Sequence, residues 1–400
     1  MIRAAAENVI SSVILALIPL MAIPYILNGY DKDEFAIFAT MLLFVPFVMV
    51  MEAGVTRYYL LNSNKGIDKR LDTFYFLFYC GCAILVAFVG WFFSIYSSQE
   101  SSILFALAAV SQVSLRFLII YFDSNELYIY SNGFNIIFSL LLYLPLTFDV
   151  AYKMNVGLEN VLVYTRSVQI FIISMLLVRM LDIARGSIDY IKYYEDLKYI
   201  GLNRAVMVLF DNFDRLVILP LMNQDFITKY FLAVTVVSKL KQLIEQVVRV
   251  VLPRIKDHFD VIRSKIAVRT YNSVFVAVIL GFPVVTDFWL NKSLGDGYLS
   301  ESLPMLVMVY LVGISQPRHA IAELEGHSRP LFRQSVYVFI IYAVFCVVLY
   351  KIGLYSLYSL SIAVAIRAAV GSAFLYRLIG ERFPWFAFSS FFLATIYYGF

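Results

Sequence analysis

The sequence predicts an all-α polytopic membrane protein with about 12 transmembrane helices in two six-helix halves around a central cavity. Sixty-one per cent of the 400 residues are hydrophobic and only 15% are charged. The mean hydropathy of +0.79 is higher than a soluble domain tolerates. Apolar runs of about 20 residues, the length that crosses the hydrocarbon core, recur along the chain.

Twelve apolar runs are long enough to be spans, and a shorter one follows them. The first run shows no cleavable signal, so we expect it to be retained as a span. The last run, 385–400, fits an incomplete thirteenth span, an interfacial segment or a short crossing. The predicted spans are 8–28, 35–61, 73–97, 102–122, 127–148, 158–181, 201–221, 227–251, 270–290, 302–322, 334–350 and 356–376.

The longest predicted inside loop divides these spans into two sets of six. Each half opens with a proline-bearing helix, a polar turn and an aromatic helix. A repeat of six parallel spans predicts a binding site between the halves, near the membrane midplane. The predicted domains are an N-terminal half 1–181, a cytoplasmic linker 182–200, a C-terminal half 201–376 and a tail 377–400.

The distribution of basic residues predicts that the N-terminus lies in the cytoplasm. With this orientation the inside loops hold sixteen lysines and arginines, whereas the outside loops hold only Lys32, Lys153, Lys292 and Lys351. Short cytoplasmic loops of membrane proteins carry such an excess of basic residues.

Charged residues inside the predicted spans are the candidate functional residues, because a charge in lipid costs a few kcal/mol unless it is paired or hydrated. The interior carries more basic than acidic residues. Arginine binds phosphate oxygens in a bidentate manner, so a basic cavity suits an anionic cargo. The alternative for Arg116 is snorkelling to the interface. The cavity candidates are Arg57, Arg116, Arg166, Arg215 and Arg367.

The seventh and eighth predicted spans concentrate further charge. Asp211 and Arg215 lie one helical turn apart and can pair. Intramembrane carboxylates can also exchange protons as access to a site alternates, which is the functional alternative to a structural pair. The candidates for a gate or for ion coupling are Asp211, Asp214, Lys241 and Glu245.

The sequence predicts no cofactor, no metal site, no nucleic-acid partner and no enzymatic activity. The three cysteines lie in apolar runs, where small buried hydrophobes are expected. The histidines accompany no acidic or thiol cluster at metal-ligand spacing. There is no phosphate-binding glycine loop, so the chain does not encode direct ATP drive.

Several motifs carry a resemblance to a known family. An Asp214-Arg215 pair stands in an apolar helix, and a helix with Tyr230 follows and ends at Pro253. The first two spans add Asp33-Glu34-Phe35 and Met51-Glu52-Ala53-Gly54-Val55. This pattern resembles the polysaccharide-transport family of lipid-linked oligosaccharide flippases, in the superfamily that also contains the multidrug and toxin extrusion (MATE) exporters. Glu52 departs from the pattern, because aspartate is commoner at that point.

The resemblance implies a flippase in a bacterial inner membrane that works by alternating access. It would move undecaprenyl-diphosphate-linked oligosaccharide repeat units for O-antigen, lipopolysaccharide, capsule or a similar surface polysaccharide. The implied partners are this lipid-linked oligosaccharide, membrane lipid and the polysaccharide polymerase machinery.

Two alternatives to the flippase stay open. A small-molecule exporter of the MATE type would prefer a carboxylate-lined cavity, whereas the interior here is basic. A membrane-embedded polysaccharide polymerase or ligase would keep a large outside loop with catalytic residues, whereas the predicted outside loops are short and hold no paired carboxylates.

Overall fold

The computed structural model describes eleven helices and the short turns between some of them. The described residues are 2–48, 73–96, 102–124, 127–180, 224–251, 303–354 and 356–397, with isolated positions between 206 and 215. Every regular element in these ranges is an α-helix. The chain divides into two compact units, Met1–Thr228 and Lys229–Phe400.

Six of these helices precede the unit boundary, and the seventh, α7, contains it. Their bounds are α1 Ile2–Gly29, α2 Lys32–Val48, α3 Thr73–Tyr96, α4 Ser102–Ser124, α5 Tyr128–Tyr152, α6 Leu158–Met180 and α7 Gln224–Val251. The remaining helices belong to the second unit. They are α8 Leu303–Leu324, α9 Ser328–Lys351, α10 Leu357–Leu378 and α11 Trp385–Tyr397.

Six of the described helices contain a segment long and apolar enough to cross a membrane. The prediction of an all-α, multi-pass membrane protein is therefore confirmed for the described ranges. The count of 12 spans and the two halves around a cavity stay predictions, because 49–72, 181–205 and 252–302 lie outside the described residues. The segments are Ile10–Gly29, Ser102–Asp123, Tyr128–Tyr152, Leu158–Arg179, Arg329–Lys351 and Leu357–Leu378.

The structure differs from the predicted spans at the start of the eleventh span, and it shows the apolar tail as a short helix. The eleventh span was expected from residue 334, but α9 begins at Ser328. Arg329 and Arg333 lower the hydropathy of the first turns without preventing helix formation, since arginine has a high helix propensity. The apolar tail forms a helix of 13 residues, α11, that packs against α8.

Glycines let two helix pairs of the first unit approach closely. A Cβ built at Gly90 of α3 would lie 2.6 Å from the carbonyl oxygen of Phe105 in α4. A Cβ at Gly29, the last residue of α1, would collide with the side chain of Val150 in α5. Beside the first contact, Phe44 of α2 stacks on Phe93 with ring centroids 4.3 Å apart.

A polar contact joins the end of α1 to the end of α5. The Tyr30 hydroxyl donates to a carboxylate oxygen of Asp149 over 2.7 Å, and the backbone N–H of Val156 donates to the other oxygen over 3.1 Å. Burial, reinforced by the hydrogen bond to Asp149, raises the pKa of Tyr30. The α5–α6 turn also needs left-handed residues, with φ of 50° at Lys153 and 84° at Gly157.

The second unit is organised around α10, which packs against both α8 and α9. The turn before α10 contains Gly353, whose φ of 72° favours glycine. Ser356 caps α10 by accepting from the backbone N–H of Ser359, and the Ser359 hydroxyl accepts from the N–H of Ser356. This reciprocal box satisfies two donors that the helix start leaves unpaired.

Candidate functional site

Among the predicted site residues that the structure describes in the first unit, Arg166 is the most deeply buried. It stands on α6 eight residues after Leu158, which is about 12 Å along the axis, and it is only 5% exposed. Its Nη1 donates to the Ser111 hydroxyl of α4 at 3.2 Å and to Oε1 of Gln169 at 3.0 Å. Gln169 is held in turn by its Nε2, which donates to the carbonyl oxygen of Phe138 in α5 at 2.9 Å.

The Arg166 guanidinium has neutral partners only. Among the described residues no carboxylate pairs with it, and its buried Nε has no hydrogen-bond partner. A buried charge without a counter-charge is costly, and it is usually kept where it binds something. Its position between α4, α5 and α6 therefore makes it a candidate anion-binding group.

Arg367 occupies a comparable depth in the second unit. It lies ten residues into α10 and is 4% exposed. Its guanidinium carbon is 4.9 Å from the centroid of the Tyr342 ring in α9, and its Nη2 is 3.5 Å from the sulfur of Met308 in α8. The aromatic face stabilises the cation.

Arg318 forms an ion pair that the sequence did not lead us to expect. Its Nε donates to a carboxylate oxygen of Glu381 at 2.7 Å, and its Nη1 donates to the Ile314 carbonyl at 2.7 Å. The guanidinium also lies 4.6 Å from the centroid of the Tyr376 ring. A topological signal was available, because the tenth and twelfth predicted spans end on the same side of the membrane, near these two residues.

The structure describes two of the three remaining cavity candidates, Arg116 and Arg215. Arg215 donates from Nη1 to the carbonyl oxygen of Leu43 in α2 at 3.4 Å, and its Nε has no partner among the described residues. Arg116 is half-buried on α4, which packs against the helix that carries Arg166. Arg57 lies outside the described residues.

The candidates for a gate or ion coupling are mostly beyond what the structure describes. Asp211 and Asp214 lie outside the described residues, so the pairing of Asp211 with Arg215 stays a prediction. Lys241 is half-buried on α7. Glu245 belongs to the same helix, but its side chain lies outside the described part. Within the described ranges, no three His, Cys, Asp or Glu side chains gather as a metal site would require.

The chain is similar to known proteins in its three-dimensional structure but not in its sequence. No protein-family profile and no curated protein matches the chain in sequence. A solved structure of a mutant of the Vibrio cholerae MATE transporter VcmN superposes with a TM-score of 0.63 and 11% identity, covering 99% of this chain and 97% of that chain. A multidrug resistance MATE transporter of the MOP superfamily in an outward-facing conformation gives 0.59 and 12%, covering 97% and 96%. A MATE structure in the straight conformation gives 0.60 and 13%, covering 98% and 96%.

These findings overturn the interpretation as an oligosaccharide flippase. The structures that share the fold are MATE transporters, which favours the exporter alternative. The interior also carries less unbalanced positive charge than the number of arginines indicates, since Arg318 is neutralised by Glu381. Arg367 is stabilised by the ring of Tyr342.

The structures that share the fold are transporters rather than enzymes, in agreement with the prediction of a non-enzyme. With the apolar helices described above, the comparison supports a multi-pass membrane protein. The chain has the fold of the MATE transporters of the MOP superfamily over nearly its whole length.

Proposed function

We propose that the chain is a small-molecule exporter of the MATE type. The observation that carries this proposal is the superposition with a MATE transporter over 99% of this chain and 97% of that one. Transport by the chain also agrees with the deep basic side chains, because a membrane protein keeps such costly groups where a cargo or an ion passes.

We further propose that the cargo carries an acidic group, which Arg166 binds. Among the described residues of the first unit, the buried acidic residues Asp123 and Asp149 lie near helix ends, whereas Arg166 lies well inside α6. The buried Nε of Arg166 has no hydrogen-bond partner among the described residues, and the bonds to Ser111 and Gln169 fix the orientation of the guanidinium. A carboxylate or sulfonate would supply the negative charge that the described neighbours lack.

The test is efflux from proteoliposomes that contain the purified protein. Acidic, zwitterionic and cationic fluorescent dyes are loaded in turn, and a proton or sodium gradient is imposed. We expect gradient-driven movement of acidic dyes, lost in Arg166→Gln and partly kept in Arg166→Lys, which preserves the charge but not the fork of donors. Arg179→Gln is the matched control, because Arg179 is an exposed arginine near the end of the same helix.

The outcomes separate the two parts of the proposal. Movement of cationic dyes alone, unaffected by Arg166→Gln, would keep the exporter and refute the acidic cargo. If no dye moves under either gradient while the reconstituted protein remains folded, the exporter itself is refuted.

A further inference from the structure

A basic groove lies in the second unit where α9 begins and α10 ends. Its volume is about 690 Å³, and three arginines line it: Arg329 and Arg333 from α9 and Arg377 from α10. Gln334 fixes one wall by donating to the Gly371 carbonyl oxygen at 3.0 Å. The cluster Ala322, Leu331 and Leu375 packs in the same part of the unit.

Among the described residues, no acidic side chain pairs with the arginines of the groove. Within the described ranges none of the three guanidinium groups forms an ion pair or a hydrogen bond. Of the acidic side chains that the structure describes near this end, Glu381 pairs with Arg318 and Glu325 lies 3.9 Å from His327. The start of α9 has no side-chain cap, so its dipole adds positive potential. The groove therefore suits an anion with several acceptor oxygens.

An apolar strip continues from the arginines along α9. Arg333, Tyr337 and Ile341 follow at steps of four residues, so they lie within about 80° of one another around the helix over about 12 Å. Tyr337 is 66% exposed and Ile341 is 62% exposed. The apolar segment Arg329–Lys351 begins at these arginines, so the groove lies at the depth where headgroups meet hydrocarbon. A phosphate on the arginines would thus be continuous with acyl chains on the strip.

From this arrangement we propose that the groove binds an anionic phospholipid, with its phosphate between Arg333 and Arg377 and its acyl chains along the α9 face. Basic pockets between transmembrane helices bind acidic headgroups in this way. Arginine suits the role because its planar fork matches two phosphate oxygens. The inference does not depend on what the protein exports.

Native mass spectrometry of the purified, delipidated protein tests the proposal. Phosphatidylglycerol and phosphatidylcholine with the same acyl chains are titrated in separate series, and inorganic phosphate is added as a competitor. We expect phosphatidylglycerol to bind more tightly than phosphatidylcholine, and the double variant Arg333→Gln/Arg377→Gln to weaken its binding roughly thirty-fold. Arg179→Gln/Lys351→Gln, which removes two exposed charges elsewhere, should bind as the wild type does.

If the glutamine variant does not fold, a variant that preserves the charge keeps the proposal testable. Arg333→Lys/Arg377→Lys should bind phosphatidylglycerol with an affinity between those of the wild type and the glutamine variant, because lysine keeps the charge without the bidentate fork. Equal binding of the two lipids, or unchanged binding in the glutamine variant, overturns the proposal. Displacement of the lipid by millimolar inorganic phosphate would identify a site for free phosphate instead.

Discussion

We expect Gly90→Ala, which adds one methyl group, to disrupt the close packing of α3 against α4. The built Cβ lies 2.6 Å from the Phe105 carbonyl oxygen, 2.9 Å from its carbon and 3.0 Å from the Cα of Ala106. All three neighbours are backbone atoms of a packed helix, so no side chain can rotate away. Relief to an ordinary contact would require the helices to separate by roughly 0.5–1 Å, which breaks the close packing that interiors require.

The matched control stands on the same helix. A Cβ at Gly81 meets nothing within 4 Å, so Gly81→Ala should gain about 0.5–1 kcal/mol from the lower flexibility of alanine in the unfolded chain. Gly90→Ala has the same gain but also the overpacking cost of about 1–3 kcal/mol. The difference between the variants isolates the clash, and we expect Gly90→Ala to be less stable than Gly81→Ala by about 1–3 kcal/mol.

Equilibrium unfolding in mixed micelles, followed by circular dichroism, measures this difference. The two variants have the same composition, so detergent binding and expression history affect them alike. Equal free energies of unfolding would refute the reasoning, because they would mean that α3 and α4 do not approach at Gly90 as described.

Three further predictions use the same unfolding measurement. Gly29→Ala should destabilise by about 1–3 kcal/mol through its collision with Val150, and Val150→Ala added to it should restore part of the loss; no restoration would place the cost elsewhere. Glu381→Gln should cost about 3 kcal/mol because it leaves the Arg318 charge buried, whereas Arg318→Met/Glu381→Gln should cost less; equal losses would contradict a coupled pair. Tyr30→Phe should cost about 1–2 kcal/mol. Because the folded state raises the pKa of Tyr30, its contribution is present below the ordinary pKa of 10.0 and lost as pH rises above it, so this variant should weaken the alkaline loss of stability.

Hydropathy predicted the described helices closely because each apolar run must be long enough to cross the hydrocarbon. The run 158–181 became α6 Leu158–Met180, and 356–376 became α10 Leu357–Leu378. The largest errors were the starts of α1 and α9, which lie at Ile2 and Ser328 instead of 8 and 334. In α9 two arginines extend the helix beyond its apolar part. Hydropathy indicates which residues suit the hydrocarbon, whereas a helix can extend beyond them through polar residues that have a high helix propensity.

The site was harder to predict because a sequence gives charges without their partners. The depth of Arg166 and Arg367 followed from their places in the apolar runs. The bond of Arg166 to Gln169 could have been expected from the spacing of three residues on one helix. The pair Arg318–Glu381 joins residues 63 positions apart, so only the topology brings them together. Counting arginines therefore overstated the free positive charge, and that overstatement favoured the wrong cargo.

The turn between α9 and α10 has a consequence for membrane insertion. The N–H groups of Gly353 and Leu354 donate to the carbonyls of Tyr350 and Leu349, and the Ser356–Ser359 box satisfies the next helix start. Unpaired backbone groups are costly in lipid. Because these groups at the turn are hydrogen-bonded, α9 and α10 can enter the bilayer together as one helical hairpin. Lys351 at its tip would have to cross, and Arg367 would enter against the Tyr342 ring of the same hairpin. Arg329, Arg333 and Arg377 at the open end stay behind. We therefore expect this hairpin to fix its own orientation as it inserts, before the helices around it are in place.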